Sequence, residues 1–288
     1  MRHLTKRLAA AVLSAAILVI WSACALAAAP DITADAAIVV NEQTGEVLYE
    51  KNADKREYPA SMTKMMTCIL ALERTSPDQI VTVSDNAADV ECTRLYPGYE
   101  LRMADMLQQM MMISDNGAAT AVGEAVAGDI DSFAALMNEK AAALGATDTH
   151  FVNANGMPDS NHYSTARDMA KIASYGMKMP AFRKIVGTEA KNIYYIRPAG
   201  HMAYCENTNE LLDTYPGCTG VKTGWTRAAR GCLTAAAKRG DTELLVVVMH
   251  SDSDDTRFSE AAALLDYGFA ELQQRQQEQQ APAASKAA

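Results

Sequence analysis

Three short stretches carry residues that could do chemistry together. The first is Ser61-Met62-Thr63-Lys64. Residues three apart on a helix share a face, so this spacing sets a hydroxyl beside an amine. A serine hydroxyl is a weak nucleophile until a neighbouring base takes its proton. Lys64 can be that base only when neutral, which demands burial or a nearby cation. Pro59 suits a first helical turn, and a helix opening just before Ser61 aims its unpaired N–H groups at a developing oxyanion. Met65, Cys68 and Leu72 continue the same face, which predicts a buried helix.

The second stretch is Ser114-Asp115-Asn116 and the third is Lys222-Thr223-Gly224. Taken alone, Ser-Asp-Asn is a plain helix stop. Beside a Ser/Lys pair it offers a hydroxyl for proton relay, Ser114, and an amide for substrate recognition, Asn116. A cation and a hydroxyl on one strand, Lys222 and Thr223, suit a substrate carboxylate. A surface lysine paired with acids is the plainer reading of Lys222, but it leaves Gly224 unexplained. The missing side chain there lets the strand approach a ligand closely. The next N–H, at Trp225, can complete an oxyanion hole with that of Ser61. Lys64 is expected neutral and buried, Lys222 charged and facing substrate.

These stretches need elements to hold them. Residues 36–50 read as a β-hairpin, Ile38-Val39-Val40 and Val47-Leu48-Tyr49 flanking a turn at Gln43-Thr44-Gly45. A helix over 60–73 carries Ser61 and Lys64. Met103, Met106, Leu107, Met110 and Met111 recur at helical spacing, so a helix with a methionine core face ends at Ser114. Further helices are expected over 118–127, 130–144 and 165–177. The period then changes to strands at 220–225, 232–238 and 243–249, followed by a last helix over 258–272. Strands at both ends with helices between predict one α/β unit: an antiparallel sheet assembled from both chain ends, with helices on its faces. Residues 273–288 are Gln-rich, then Ala/Pro/Ser-rich, and are expected to be a disordered tail.

The first 27 residues have a basic start (Arg2, Lys6, Arg7), an apolar run from Leu8 to Ile20 and a small-x-small exit at Ala25-Leu26-Ala27. That is the layout of a secretory signal peptide, leaving 28–272 as the catalytic domain. An uncleaved anchor, or lipidation at Cys24, is the alternative mode of attachment. Removing the three basic residues takes the formal charge from −9 to −12, which argues against a nucleic-acid or anionic-membrane partner. Cys68, Cys92, Cys205, Cys218 and Cys232 remain, an odd number without C-x-x-C spacing, so neither a zinc site nor a deducible disulfide map emerges. No G-x-S-x-G or H-E-x-x-H occurs and the five histidines are scattered, so a Ser-His-Asp triad and a metal centre lack support. No metal or cofactor is expected.

S-x-x-K, S-D-N and K-T-G in this order are the signature of penicillin-binding proteins and class A β-lactamases. With Asn155-Gly156-Met157-Pro158-Asp159, the stretch His162 to Met169 and Gly220 to Thr226, the sequence resembles the low-molecular-mass penicillin-binding proteins of the D-alanyl-D-alanine carboxypeptidase family from about Ala34 to Leu272. The resemblance implies a β-lactamase/transpeptidase-like α/β fold with a central antiparallel sheet of about five strands. It implies an exported serine enzyme that removes terminal D-alanine from peptidoglycan stem peptides ending in D-Ala-D-Ala, with β-lactam antibiotics as covalent inhibitors. Ser61 would be nucleophile, Lys64 base, Ser114 and Asn116 relay and substrate ligand, Lys222 and Thr223 carboxylate binders, and Arg257 the family's additional carboxylate arginine. Many relatives carry a β-rich second domain and an amphipathic membrane helix. The polar tail here lacks the apolar face of such an anchor, so membrane attachment is not carried over. A β-lactamase is the nearest rival, but no glutamate occurs from Lys140 to Thr188, where a class A enzyme places the one that holds its hydrolytic water. A catalytically weak penicillin-binding sensor and a transpeptidase are the other readings.

Overall fold

In the strand β9 (Thr242–Ser251), Leu245, Val247 and Met249 alternate with Leu244, Val246 and Val248, and all six are buried. Successive side chains of a strand point to opposite faces, so a strand buried on both sides must lie between two layers. The computed structural model, which describes residues 28–285, places it so. β9 is the middle of a five-stranded sheet in the order β2-β1-β9-β8-β7, antiparallel throughout. The partners are β1 (Ala36–Asn41), β2 (Val47–Lys51), β7 (Cys218–Thr226) and β8 (Arg230–Arg239). β1 and β2 come from the N-terminal end and β7 to β9 from the C-terminal end, as expected.

One face of the sheet joins a helical layer. Ile38, Leu245, Val247 and Met249 share a core with Met65 and Ile69 of α1 (Lys64–Arg74), and with Met106 and Met110 of α3 (Met103–Met112). The same core takes in Ala118 and Val122 of α4 (Asn116–Ala127), Phe133 of α5 (Ile130–Ala143) and Ile172 of α6 (Ala166–Met177). On the other face lies the first part, residues 256–268, of α9 (Thr256–Ser285). Its Gly268 comes so close that a Cβ there would lie 2.9 Å from Leu244 Cδ1 and 3.0 Å from Val39 Cγ1.

Shorter elements escaped the sequence reading. They are the ribbons β3 (Ile80–Thr82) with β4 (Glu100–Arg102) and β5 (Ala190–Tyr194) with β6 (Met202–Glu206), and the helices α2 (Asp85–Ala88), α7 (Pro180–Val186) and α8 (Leu211–Thr214). Three- to seven-residue elements contain too few repeats for periodicity to register. The tail expected to be disordered from Gln273 is helical to Ser285. Gln, Glu, Ala and Arg propagate a helix well once a nucleus exists, apolar face or not. Residues 269–285 belong to a unit distinct from residues 30–268, and within it Arg275 pairs with Glu271 one turn away, at 3.4 Å. No helix among the described residues is long and apolar enough to cross a membrane. Residues 1–27, expected to be a signal peptide, lie outside the described residues.

One buried histidine braces the layer beneath the site. His162 is 1% exposed. Its Nδ1 accepts from Val152 N–H at 3.1 Å, so Nε2 carries the proton and donates to Thr63 Oγ1 at 2.8 Å. Burial lowers its pKa from 6.5 to about 4. The neutral ring is therefore favoured by the fold, and stability declines as pH falls from the unfolded value through the folded one. Below that window the loss amounts to about 3 kcal/mol. His162→Gln should flatten the pH dependence of unfolding by urea between pH 6.5 and 4. An unchanged slope would place the acid lability elsewhere.

Candidate active site

The nucleophile sits on a strained turn rather than on the regular helix start expected from Pro59. Ala60–Thr63 form a single 3-10 turn before α1 begins at Lys64. Ala60 has φ +48°, a left-handed conformation that residues with a Cβ seldom adopt. Two glycines press on this turn from different sides. A Cβ on Gly156 (φ +91°) would lie 1.9 Å from Ala60 O. One on Gly224 would lie 3.0 Å from Pro59 O and 3.1 Å from Ser61 N. The close approach expected of Gly224 is thus made to the nucleophile's own backbone.

Lys64 lies under Ser61 and is fully buried. Its Nζ is 2.8 Å from Ser61 Oγ, 2.7 Å from Asn116 Oδ1 and 2.7 Å from the main-chain oxygen of Asn155. Burial lowers its pKa from 10.5 to about 7, with the charge of Asp115 working against it. The sequence requirement for a neutral, buried base is met by desolvation.

Asp115 fixes the second stretch. Its carboxylate caps α4 by accepting from Ala118 N–H at 3.0 Å, and it also accepts from Thr93 Oγ1 at 2.8 Å, Arg94 N–H at 3.0 Å and Gln109 Nε2 at 3.0 Å. One carboxylate thereby joins the ends of α3 and α4 to the loop around Cys92. Asn116 follows with both amide atoms engaged: Oδ1 accepts from Lys64, and Nδ2 donates to Glu91 O at 2.8 Å. It holds the Lys64 amine and also lines the cleft, where the sequence expects it to meet substrate. Ser114 has φ +60° and faces the cleft. Among the described residues its hydroxyl bonds no other group, so it stands free rather than pre-wired to Lys64.

The third stretch divides by the strand's alternation. Thr223 faces the cleft, and its Oγ1 is 2.6 Å from Thr208 Oγ1. Lys222 shares the Gly224 side of β7, the side against the Ser61 turn. It is 1% exposed and does not line the cleft. Burial first, then the charges of Lys64 and Arg257, push its pKa well below the ordinary lysine value. Its nitrogen lies 3.0 Å from Thr223 O and 3.5 Å from Thr223 Oγ1 on the cleft wall, so Lys222 is buried beside the cleft, with its charged form disfavoured until a partner arrives. Arg257 does reach the cleft, donating to Gly224 O at 3.0 Å and pairing with Asp254 at 3.0 Å. Its Nε is buried and has no hydrogen-bond partner among the described residues.

The cleft these groups line has a volume of about 490 Å³. Trp225 stands on its rim, 53% exposed. Sequence reasoning gave no role to Asn155, Glu91, Cys92, Asp115, Thr208 or Arg227. For Asn155-Gly156 the signal was a turn dipeptide, which gives the turn but not the partner of its carbonyl. Cys92 is exposed on the cleft, whereas Cys68, Cys205 and Cys232 are buried. All five described cysteines are unpaired.

The chain is 35% identical over 247 residues to the D-alanyl-D-alanine carboxypeptidase DacF of Bacillus subtilis, covering 83% of this chain and 63% of that protein's length. It is 35% identical over 258 residues to a D-alanyl-D-alanine carboxypeptidase of Streptomyces sp. K15, covering 84% of this chain and 89% of the relative. The crystal structure of the Streptomyces K15 DD-transpeptidase superposes with a TM-score of 0.81 at 34% identity, covering 85% of this chain and all of that one. The D-alanyl-D-alanine carboxypeptidase profile, peptidase S11, matches residues 24–253. That span runs from before β1 to beyond β9 and holds Ser61, Lys64, Ser114 and Lys222 in the order the geometry uses them, so the chain belongs to the D-alanyl-D-alanine carboxypeptidase family of serine peptidases.

Proposed function

We propose that this protein is an exported serine-type D-Ala-D-Ala carboxypeptidase that trims peptidoglycan stem peptides through an acyl-enzyme on Ser61 and is acylated by β-lactams. The observation that carries this reading is the hydrogen bonding of Lys64. A neutral amine has two N–H donors and one lone pair. Asn116 Oδ1 and the Asn155 carbonyl can only accept, so they claim the two protons. The lone pair is left directed at Ser61 Oγ, 2.8 Å away. The base is thus both deprotonated near neutral pH and aimed.

The terminal carboxylate of the stem peptide docks on Thr223 and Arg257, with Lys222 behind them. A carboxylate brought against that wall offsets the repulsion from Lys64 and Arg257 and raises the affinity of Lys222 for a proton. Ser61 attacks the penultimate carbonyl while Lys64 takes its proton, and the N–H groups of Ser61 and Trp225 hold the oxyanion. The intermediate collapses with cleavage of the C–N bond. The proton held by Lys64 passes to the leaving D-alanine amine with help from the free hydroxyl of Ser114. Water then attacks the ester, Lys64 takes its proton, and the proton returns to Ser61 as the shortened peptide leaves. A transpeptidase differs only in the last step, where an amine replaces water. The likeness to the Streptomyces K15 structure keeps that second reading in view.

Intact-mass spectrometry after exposure to penicillin, beside a D-alanine release assay, tests the proposal. A stable adduct absent from Ser61→Ala, with D-alanine freed from a peptide ending in D-Ala-D-Ala, is expected. Neither adduct nor turnover would sink the acyl-serine assignment, and rapid penicillin turnover would restore the β-lactamase reading. The rate of acylation should rise with pH, reach half its maximum near the Lys64 pKa of about 7 and stay level above it. Asn116→Ala, which frees one amine proton to turn toward Ser61, should slow acylation roughly 100-fold.

A further inference from the structure

The cleft has charged groups that the chemistry above does not use. Its lining includes three charged side chains, Arg257, Glu91 and Arg227. Arg257 is paired with Asp254. Glu91 and Arg227 are exposed, and among the described residues neither side chain forms an ion pair or hydrogen bond. They stand on opposite walls. Glu91 is fixed to the Asn116 side, because its carbonyl accepts from Asn116 Nδ2 at 2.8 Å. Arg227 projects from the β7–β8 turn, which is set by a hydrogen bond from Ala229 N–H to Thr226 Oγ1 at 2.9 Å and by pairing of Thr226 with Arg230.

The place of Arg227 just beyond β7 gives the pair meaning. Gly224 lies against Ser61 N, and Thr223 precedes it at the carboxylate end. Arg227 is three residues further on, roughly 10 Å at a strand's rise per residue. A peptide with its terminal carboxylate at Thr223 and Arg257 and its penultimate carbonyl at Ser61 carries its preceding residue toward that far end. The same cleft is also lined by apolar surfaces: the exposed indole of Trp225, with Met157 and Pro158 from the loop of residues 153–158. An apolar floor flanked by one acid and one base matches a long aliphatic side chain with both charges at its tip.

We infer that the Glu91/Arg227 end of the cleft reads the residue before D-Ala-D-Ala as a diamino dicarboxylic acid, whose side chain ends in one carbon bearing an ammonium and a carboxylate. The inference rests on the carboxypeptidase reading. Methylenes lie along Trp225, the ammonium meets Glu91, and the carboxylate meets Arg227. A lysine at the same place offers the ammonium alone and brings it toward the Arg227 cation, so selectivity has a repulsive component as well as an attractive one. Both pairs are at a solvated rim, where charge steers choice more than it adds affinity.

The test compares kcat/KM for D-alanine release from two pentapeptides ending in D-Ala-D-Ala and differing only in the third residue, diaminopimelate or lysine. Wild type should favour the diaminopimelate peptide about tenfold. Arg227→Ala should bring the ratio within about twofold, and Arg227→Glu should reverse it. Circular dichroism and the penicillin adduct report that each variant is folded with a working nucleophile. Equal release from both peptides by wild type, or an unchanged preference in Arg227→Ala, overturns the inference while leaving the carboxypeptidase standing. Release from neither peptide with the adduct intact overturns the carboxypeptidase reading and this inference with it.

Discussion

Keeping one amine out of water is the constraint on which the rest of the site depends. Moving an ammonium from water into a protein interior carries a penalty of several kcal/mol even after relaxation, and the protein meets it partly by letting Lys64 lose its proton. That solution works only if the remaining N–H bonds have acceptors, since an unmet donor in the interior is itself destabilising. The acceptors come from separate parts of the chain, the side chain of Asn116 at the start of α4 and the carbonyl of Asn155 in the loop of residues 153–158. α1 supplies the amine, α4 and the loop supply its environment, and β7 closes the Ser61 side. The helical layer and the sheet edge must therefore be in register to within a hydrogen bond for the base to be neutral and aimed.

Asp115 shows how that register is held. A carboxylate that is 2% exposed and takes four hydrogen bonds from α3, α4 and the Thr93-Arg94 segment is a joint between elements rather than a surface charge. It also works against the depression of the Lys64 pKa, as Cys92 does more weakly, so the value near neutrality is a balance between desolvation and nearby negative charge. The two lysines of the site share this electrostatics. Lys222 is as buried as Lys64 and feels its charge, so the two are disfavoured from being charged together.

Much of this was legible in the residues. The Ser61/Lys64 pair, the sheet built from both chain ends and the need for Gly224 all follow from spacing and from side-chain size. What was not legible has physical reasons. Asn155 acts through a main-chain carbonyl, which every residue has, so no residue type could advertise it. The contact of Asn116 with Lys64 does not show in the sequence, because an amide at a cleft serves a substrate and a buried amine equally well. The burial of Lys222 does not show in residue types, because strand alternation puts it on the Gly224 side and only the packing of the Ser61 turn against that side removes it from water. The extent of α9 beyond Leu272 does not show in hydrophobic periodicity, because a helix carried forward from a packed start needs no apolar face of its own.

β7 lies at the end of the sheet, with β8 on one flank only. Along its free flank the main-chain N–H and C=O groups pair with no strand among the described residues. A stem peptide laid there would be held by hydrogen bonds that ignore side-chain identity, as an added strand is. Handedness would still be read. Inverting a residue's chirality on an extended backbone sends its side chain to the opposite face of the ribbon, so a D-alanine methyl and an L-alanine methyl in the same register would point to different sides. One side here is filled by the turn bearing Ser61 and the other opens to solvent beside Trp225, so the free flank of one strand can discriminate enantiomers without any residue dedicated to the task.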